Sequence, residues 1–110
     1  GLEKEQVHII EKYLLIEGTN EEKLSSLVTL LGNHEIGNEG INEIKYILYH
    51  SSFIKHHSSL MVDLTLARGL NYYTGTIFEI KAIGVQMGSI GGGGRYNDLT
   101  GLFGVPNIPG

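Results

Sequence analysis

The 110-residue chain has no cysteine, so it can form no disulfide and offers no thiolate to a metal. That usage fits a protein kept in a reducing compartment. Long apolar runs are missing as well: none approaches the roughly 20 residues that a membrane helix needs, and no signal-peptide pattern opens the chain. The expectation is a cytoplasmic protein without membrane contact. Basic charge is scarce. Eight Lys and Arg against twelve Asp and Glu leave a net charge of -4, which argues against a free-standing nucleic-acid binder. There is no internal repeat and no Pro/Ser linker. Gly1 in place of methionine fits a piece of a longer protein.

What is present is a globular composition, 41% hydrophobic and 18% charged, enough for one modest domain. It changes character near residue 58. Residues 1–58 hold five lysines, nine acids and all five histidines, and so the whole net charge. Residues 59–110 are neutral and hold eleven of the sixteen glycines.

The first half predicts helices. Val7, Ile10 and Leu14 recur at helical spacing. "TNEE" at 19–22 reads as a capping box, and Leu24, Leu27, Val28 and Leu31 follow at i, i+3, i+4, i+7 before the Gly32-Asn33 stop. A third helix is expected from about Glu39, with Ile41, Ile44 and Leu48 inward. His8, His34 and His50 are expected to face solvent.

The second half predicts strands. In 60–66, Leu60, Val62, Leu64 and Leu66 share one face. In 76–83, Thr76, Phe78, Ile80 and Ala82 oppose Ile77, Glu79, Lys81 and Ile83. A short strand is expected at Ser89-Ile90, and Asn97-Asp98 reads as a cap for a last helical turn before Gly101. The connections are too short for parallel crossovers. The fold class is therefore α+β: a helical N-terminal half followed by an antiparallel β meander.

Three features carry chemistry. Arg68 ends an apolar strand beside Gly69. A guanidinium there suits a carboxylate or phosphate, whose oxygens its planar fork binds in pairs; the alternative is a structural ion pair with Asp63 or Glu79. Tyr72 and Tyr73 follow at a bend, where strand geometry would send them to opposite faces. A phenol lining a pocket can hydrogen-bond and stack on a polar ring, and plain packing is the other reading. The third is "GSIGGGGRY" at 88–96. Four consecutive glycines are entropically unfavourable in a folded chain and make sense where something must approach the backbone closely; a flexible linker is the competing reading. Neither a Rossmann nor a Walker pattern fits, because the neighbours are antiparallel and no Gly-Lys-Ser/Thr follows. His56-His57 lacks further ligands at suitable spacing, so no metal site is expected. No Ser/His/Asp or Cys/His arrangement can be assigned.

"VDLTLARGLNYYTGTIFEIK" (62–81) and "GSIGGGGRYNDLTGLFG" (88–104) resemble two motifs of the histidyl-tRNA synthetase family. The first is similar to the histidine-specific motif RGLDYYTG-x-x-FE, the second to the downstream GGGRYD segment. The resemblance implies a class II aminoacyl-tRNA synthetase, which activates histidine with ATP and transfers it to tRNA. It implies that 1–58 is part of a helical insertion and 59–110 part of the catalytic core. It gives Arg68 contact with the ATP α-phosphate and the histidine carboxylate, Tyr73 a hydrogen bond to the substrate imidazole, and Tyr96 the place of a second tyrosine in the histidine pocket. Gly91, Gly92, Gly93 and Gly94 become a pocket floor, with Tyr72, Glu79 and Arg95 in supporting roles. ATP with magnesium, histidine and tRNA-His are the implied partners of a homodimeric parent. The 110 residues alone, which require no cofactor, are expected to be inactive, since the class II signature motifs and the anticodon-binding domain have no counterpart here. Asn71 stands where the family's motif has Asp. The alternatives are a non-catalytic synthetase-like regulatory or tRNA-sensing domain, and a small glycine-loop binding module.

Overall fold

The computed structural model describes residues 1–53 and 59–110. The His56-His57 pair lies outside the described residues. The elements run α1 (Lys4–Leu14), α2 (Asn20–Leu31), α3 (Glu35–Ser51), β1 (Ile77–Lys81), β2 (Ser89–Gly94) and a 3-10 helix (Leu99–Phe103). The chain is α+β and divides into two compact units, Gly1–Thr65 and Leu66–Gly110.

In the first unit, α2 begins as its sequence predicts: the Glu22 amide donates to the Thr19 hydroxyl at 3.2 Å, and Gly32 ends the helix with φ 54°. α3 starts a turn earlier than expected. The His34 ring caps it by accepting from the Gly37 amide at 3.1 Å. Gly37 lies inside this first turn, and the packing of α3 on α2 uses its missing side chain: a Cβ there would lie 2.7 Å from Leu31 Cδ1. Leu24, Leu27, Ile41 and Val62 are the buried core, with Tyr13, Ile16, Leu31, Ile44, Leu48 and Leu64 packed around them. Val7, Ile10 and Leu14 of α1 stay exposed; the helix meets the core through Tyr13, with Ile16 just beyond its end.

The expected strand at 60–66 is corrected. Its backbone pairs with no strand among the described residues; helix side chains take the place of a neighbouring strand. Asn20 Nδ2 donates to the Leu60 carbonyl at 2.9 Å and its Oδ1 accepts from the Val62 amide at 2.8 Å. Lys23 Nζ donates to the Val62 carbonyl at 2.7 Å, and the Tyr13 hydroxyl donates to the Leu64 carbonyl. The alternation still selects which side chains turn inward, because Val62 is buried and Leu64 packs on the core.

In the second unit β1 and β2 form a two-stranded antiparallel sheet. Cross-strand partners are Ile77 with Gly94, Phe78 with Gly93, Glu79 with Gly92 and Ile80 with Gly91, and a bulge follows between Ile80 and Lys81. The expected short strand at Ser89-Ile90 therefore extends through the glycine run. The ladder continues past it: Thr74 N donates to Arg95 O at 2.8 Å, and Arg95 N to Thr76 O at 2.9 Å. Asp98 precedes the 3-10 helix, which runs past Gly101 to end at Gly104 with φ 85°. The Asp98 carboxylate ties the next loop instead of the helix, its Oδ1 accepting from Asn107 N at 2.7 Å. No residue of this unit is fully buried.

Candidate functional site

Paired residues of an antiparallel ladder project to the same side, and neighbours along a strand to opposite sides. Glu79 and Gly92 are therefore on one face with Ile77 and Gly94, while Phe78 and Gly93 share the other with Ile80 and Gly91. The glycine run has no side chains, so neighbours clothe both its faces. A Cβ at Gly92 would lie 2.5 Å from Arg68 Nη1 and 3.1 Å from its Cζ. One at Gly94 would lie 2.8 Å from Tyr73 Cδ1. On the opposite face, Cβ atoms at Gly93 and Gly91 would meet the Phe78 ring at 3.1 Å and Ile80 Cδ1 at 3.5 Å. The close approach that these glycines permit is thus made by the unit's own side chains, with the cation and one phenol on a single face.

The Arg68 guanidinium lies beside Gly92 of β2, with Nη1 3.7 Å from Glu79 Oε1. Glu79 is one of the two ion-pair partners that the sequence offers for it. Glu79 Oε2 in turn lies 3.5 Å from Lys81 Nζ. Lys81 was not singled out in the sequence; the signal was its position two residues after Glu79, which places both on the same face of a strand.

Tyr72 and Tyr73 do not part to opposite faces as strand geometry would require, because 72–73 precedes β1 and is not in a strand. Their rings are 4.5 Å apart at 52°, and the Tyr72 hydroxyl donates to that of Tyr73 at 3.4 Å. Tyr72 also stands edge-on to Tyr96, with centroids 6.3 Å apart. It thereby touches both phenols singled out for the histidine pocket, Tyr73 and Tyr96. Tyr96 is fixed through its backbone by reciprocal hydrogen bonds with Gly110 of 2.8 and 2.9 Å. The Tyr72 phenol is pushed above its ordinary pKa of 10.0, first by the hydrogen bond with Tyr73, then by burial and by the charge on Tyr73; Arg68 pulls the other way. Arg95 is exposed and enters the ladder through its backbone. Asn71 is exposed as well.

A groove of about 490 Å³ lies in the first unit around Ile9, Ile16 and Leu30. It contains none of these residues.

The histidyl-tRNA synthetase family model matches residues 1–109. The chain belongs to the histidyl-tRNA synthetase family. The match extends this family assignment from the two motifs back over the three helices. Among relatives, the histidine–tRNA ligase of Phocaeicola vulgatus is 49% identical over all 110 residues. That of Porphyromonas gingivalis is 46% identical over the same length. That of Cytophaga hutchinsonii is 48% identical over 97 residues, 86% of this chain and 21% of the relative. The chain spans about 24% of the length of the first two. As a member of the histidyl-tRNA synthetase family it contains no described helix long and apolar enough to cross a membrane.

Proposed function

We propose that the chain is the histidine-recognising segment of a histidine–tRNA ligase, with 1–58 as part of a helical insertion and 59–110 as part of the catalytic core. The parent would be a cytoplasmic homodimer acting on histidine, ATP and tRNA-His. The observation that carries the reading is the shared sheet face on which Arg68 lies over Gly92 and Tyr73 over Gly94. Family membership and the full-length match to histidine–tRNA ligases support it.

In the proposed reaction a carboxylate oxygen of histidine attacks the α-phosphorus of ATP. The new O–P bond forms as the bond to the β-phosphate oxygen breaks, and pyrophosphate leaves with that electron pair. Negative charge gathers on the α-phosphate oxygens. A guanidinium fork fixed beside them stabilises that charge more than it stabilises bound substrate, which is the condition for raising the rate. The Tyr73 hydroxyl binds the imidazole, Tyr96 is a second tyrosine of the histidine pocket, and the transfer step then passes the histidyl group from the adenylate to tRNA. In this reading magnesium enters with the nucleotide substrate. The 110 residues alone would not catalyse adenylation.

The test is histidine-dependent ATP–pyrophosphate exchange by the full-length protein. Arg68→Ala is expected to lower kcat by about 100-fold or more, with a much smaller change in the KM for histidine. A change confined to KM would contradict the phosphate role. Turnover by the isolated 110 residues would contradict the reading of them as an incomplete site.

A further inference from the structure

We propose that Glu79 is a positioning residue for Arg68, and that its carboxylate and the bare backbone at Gly92 together hold the guanidinium in one orientation. The inference rests on the reading of Arg68 given above.

Glu79 and Gly92 are cross-strand partners, so the glutamate side chain and the empty face of the glycine lie side by side. Arg68 occupies both. Its Nη1 is 3.7 Å from Glu79 Oε1, and a Cβ at Gly92 would sit 2.5 Å from the same nitrogen. An arginine has a long stem and many rotamers. A carboxylate on one side and a flat strand beneath it leave few orientations for the fork. The Arg68 and Glu79 side chains are 28% and 22% exposed, and a pair at that distance and exposure adds little to stability. What it supplies is direction.

Glu79 is not itself a ligand for the proposed substrates, because a carboxylate repels both the α-phosphate and the histidine carboxylate. Lys81 offsets that repulsion. With its Nζ 3.5 Å from Glu79 Oε2, each carboxylate oxygen faces one cation, and the Arg68–Glu79–Lys81 row keeps a net positive charge toward an anion. A lone Arg–Glu pair would be neutral.

The experiment measures single-turnover adenylate formation and ATP–pyrophosphate exchange in the full-length protein. The variants are Arg68→Ala, Glu79→Gln, Gly92→Ala and the Arg68→Ala/Glu79→Gln double, with Gly88→Ala as control, since nothing lies within 4 Å of a Cβ at Gly88. Glu79→Gln is expected to slow adenylate formation by about tenfold or more, with KM for histidine and ATP within about threefold. Gly92→Ala is expected to reproduce this, and Gly88→Ala to leave the rate unchanged. The double variant is expected to be no slower than Arg68→Ala alone, because Glu79 acts only through Arg68. A merely structural glutamate would instead give multiplicative losses, and that result overturns the proposal. So does a Glu79→Gln rate within about twofold of the parent while Arg68→Ala remains slow. A normal rate for Arg68→Ala removes the reading of Arg68 itself, and this proposal with it. Glu79→Gln preserves side-chain shape and is the decisive variant; Gly92→Ala disturbs the same orientation from the other strand but would also press on the Phe78 carbonyl at 2.9 Å, so it corroborates and does not decide.

Discussion

Asn20 holds the backbone at Val62 as a neighbouring strand would. Its Oδ1 accepts from the Val62 amide at 2.8 Å, while its Nδ2 donates to Leu60 O at 2.9 Å. The first residue of α2 thereby fixes the extended segment that places Val62 in the core. Asn20→Ala leaves a partly buried amide without its acceptor and is expected to destabilise the fold by about 1–2 kcal/mol. Asn20→Asp keeps the acceptor, loses the donor and sets a carboxylate beside the Leu60 carbonyl, so it should be intermediate or worse, not silent. Urea unfolding followed by far-UV circular dichroism checks both; midpoints equal to the parent's would show that Val62 burial and the Lys23 and Tyr13 hydrogen bonds hold the segment without Asn20.

The face of the glycine run that carries Tyr73 gives a second prediction. At Gly94 an added methyl meets Tyr73 Cδ1 and Ile77 Cγ2, each at 2.8 Å, and the Thr76 carbonyl at 2.9 Å. On the proposed function, Gly94→Ala in the full-length protein should therefore displace Tyr73 and raise the KM for histidine by about tenfold, roughly the loss of the one hydrogen bond proposed for Tyr73. Tyr73→Phe should do the same without disturbing β2. Exchange kinetics at varied histidine concentration decide the point. A Gly94→Ala enzyme with normal histidine KM would show that the tyrosine does not need that glycine.

Tyr72 gives a pH prediction. Its phenol is raised above 10.0, chiefly by its hydrogen bond to Tyr73. A raised folded-state value means that the neutral form is favoured by folding. The associated stability is fully present below pH 10 and is lost as pH rises through the folded value. Ultraviolet titration of tyrosinate should show a late-ionising phenol that disappears in Tyr72→Phe, and the two proteins should have the same pH dependence of unfolding between pH 6 and 9. An unchanged titration curve in Tyr72→Phe would assign the late phenol to another tyrosine.

Much of the fold was legible where side chains carry a period. The Thr19 cap and the Leu24–Leu27 spacing marked α2, and the alternation around Phe78 and Glu79 assigned β1 its two faces. β2 was legible only at Ser89-Ile90, since glycine has neither strand preference nor a side chain to alternate. Its strand character comes from its partner, not from its own residues. The first turn of α3 was not legible, since it runs through Gly37, where close packing on Leu31 outweighs glycine's poor helix preference. At 60–66 the pattern marked Val62 and Leu64 as inward but said nothing of what would bind the backbone; that depends on Tyr13, Asn20 and Lys23, some 40 to 50 residues earlier. At the candidate site the sequence named Arg68, Tyr73, Tyr96 and Glu79. It did not reveal which glycine faces which side chain, because that follows from register.

Four of the six residues of β2 are glycine. Each gives up more conformational freedom on pairing than any other residue would, and a two-stranded ladder by itself is marginal in water. A small molecule that touches both strands would therefore do more than fill a space: its binding energy would tighten a backbone that is costly to order, and substrate affinity and local rigidity would rise together.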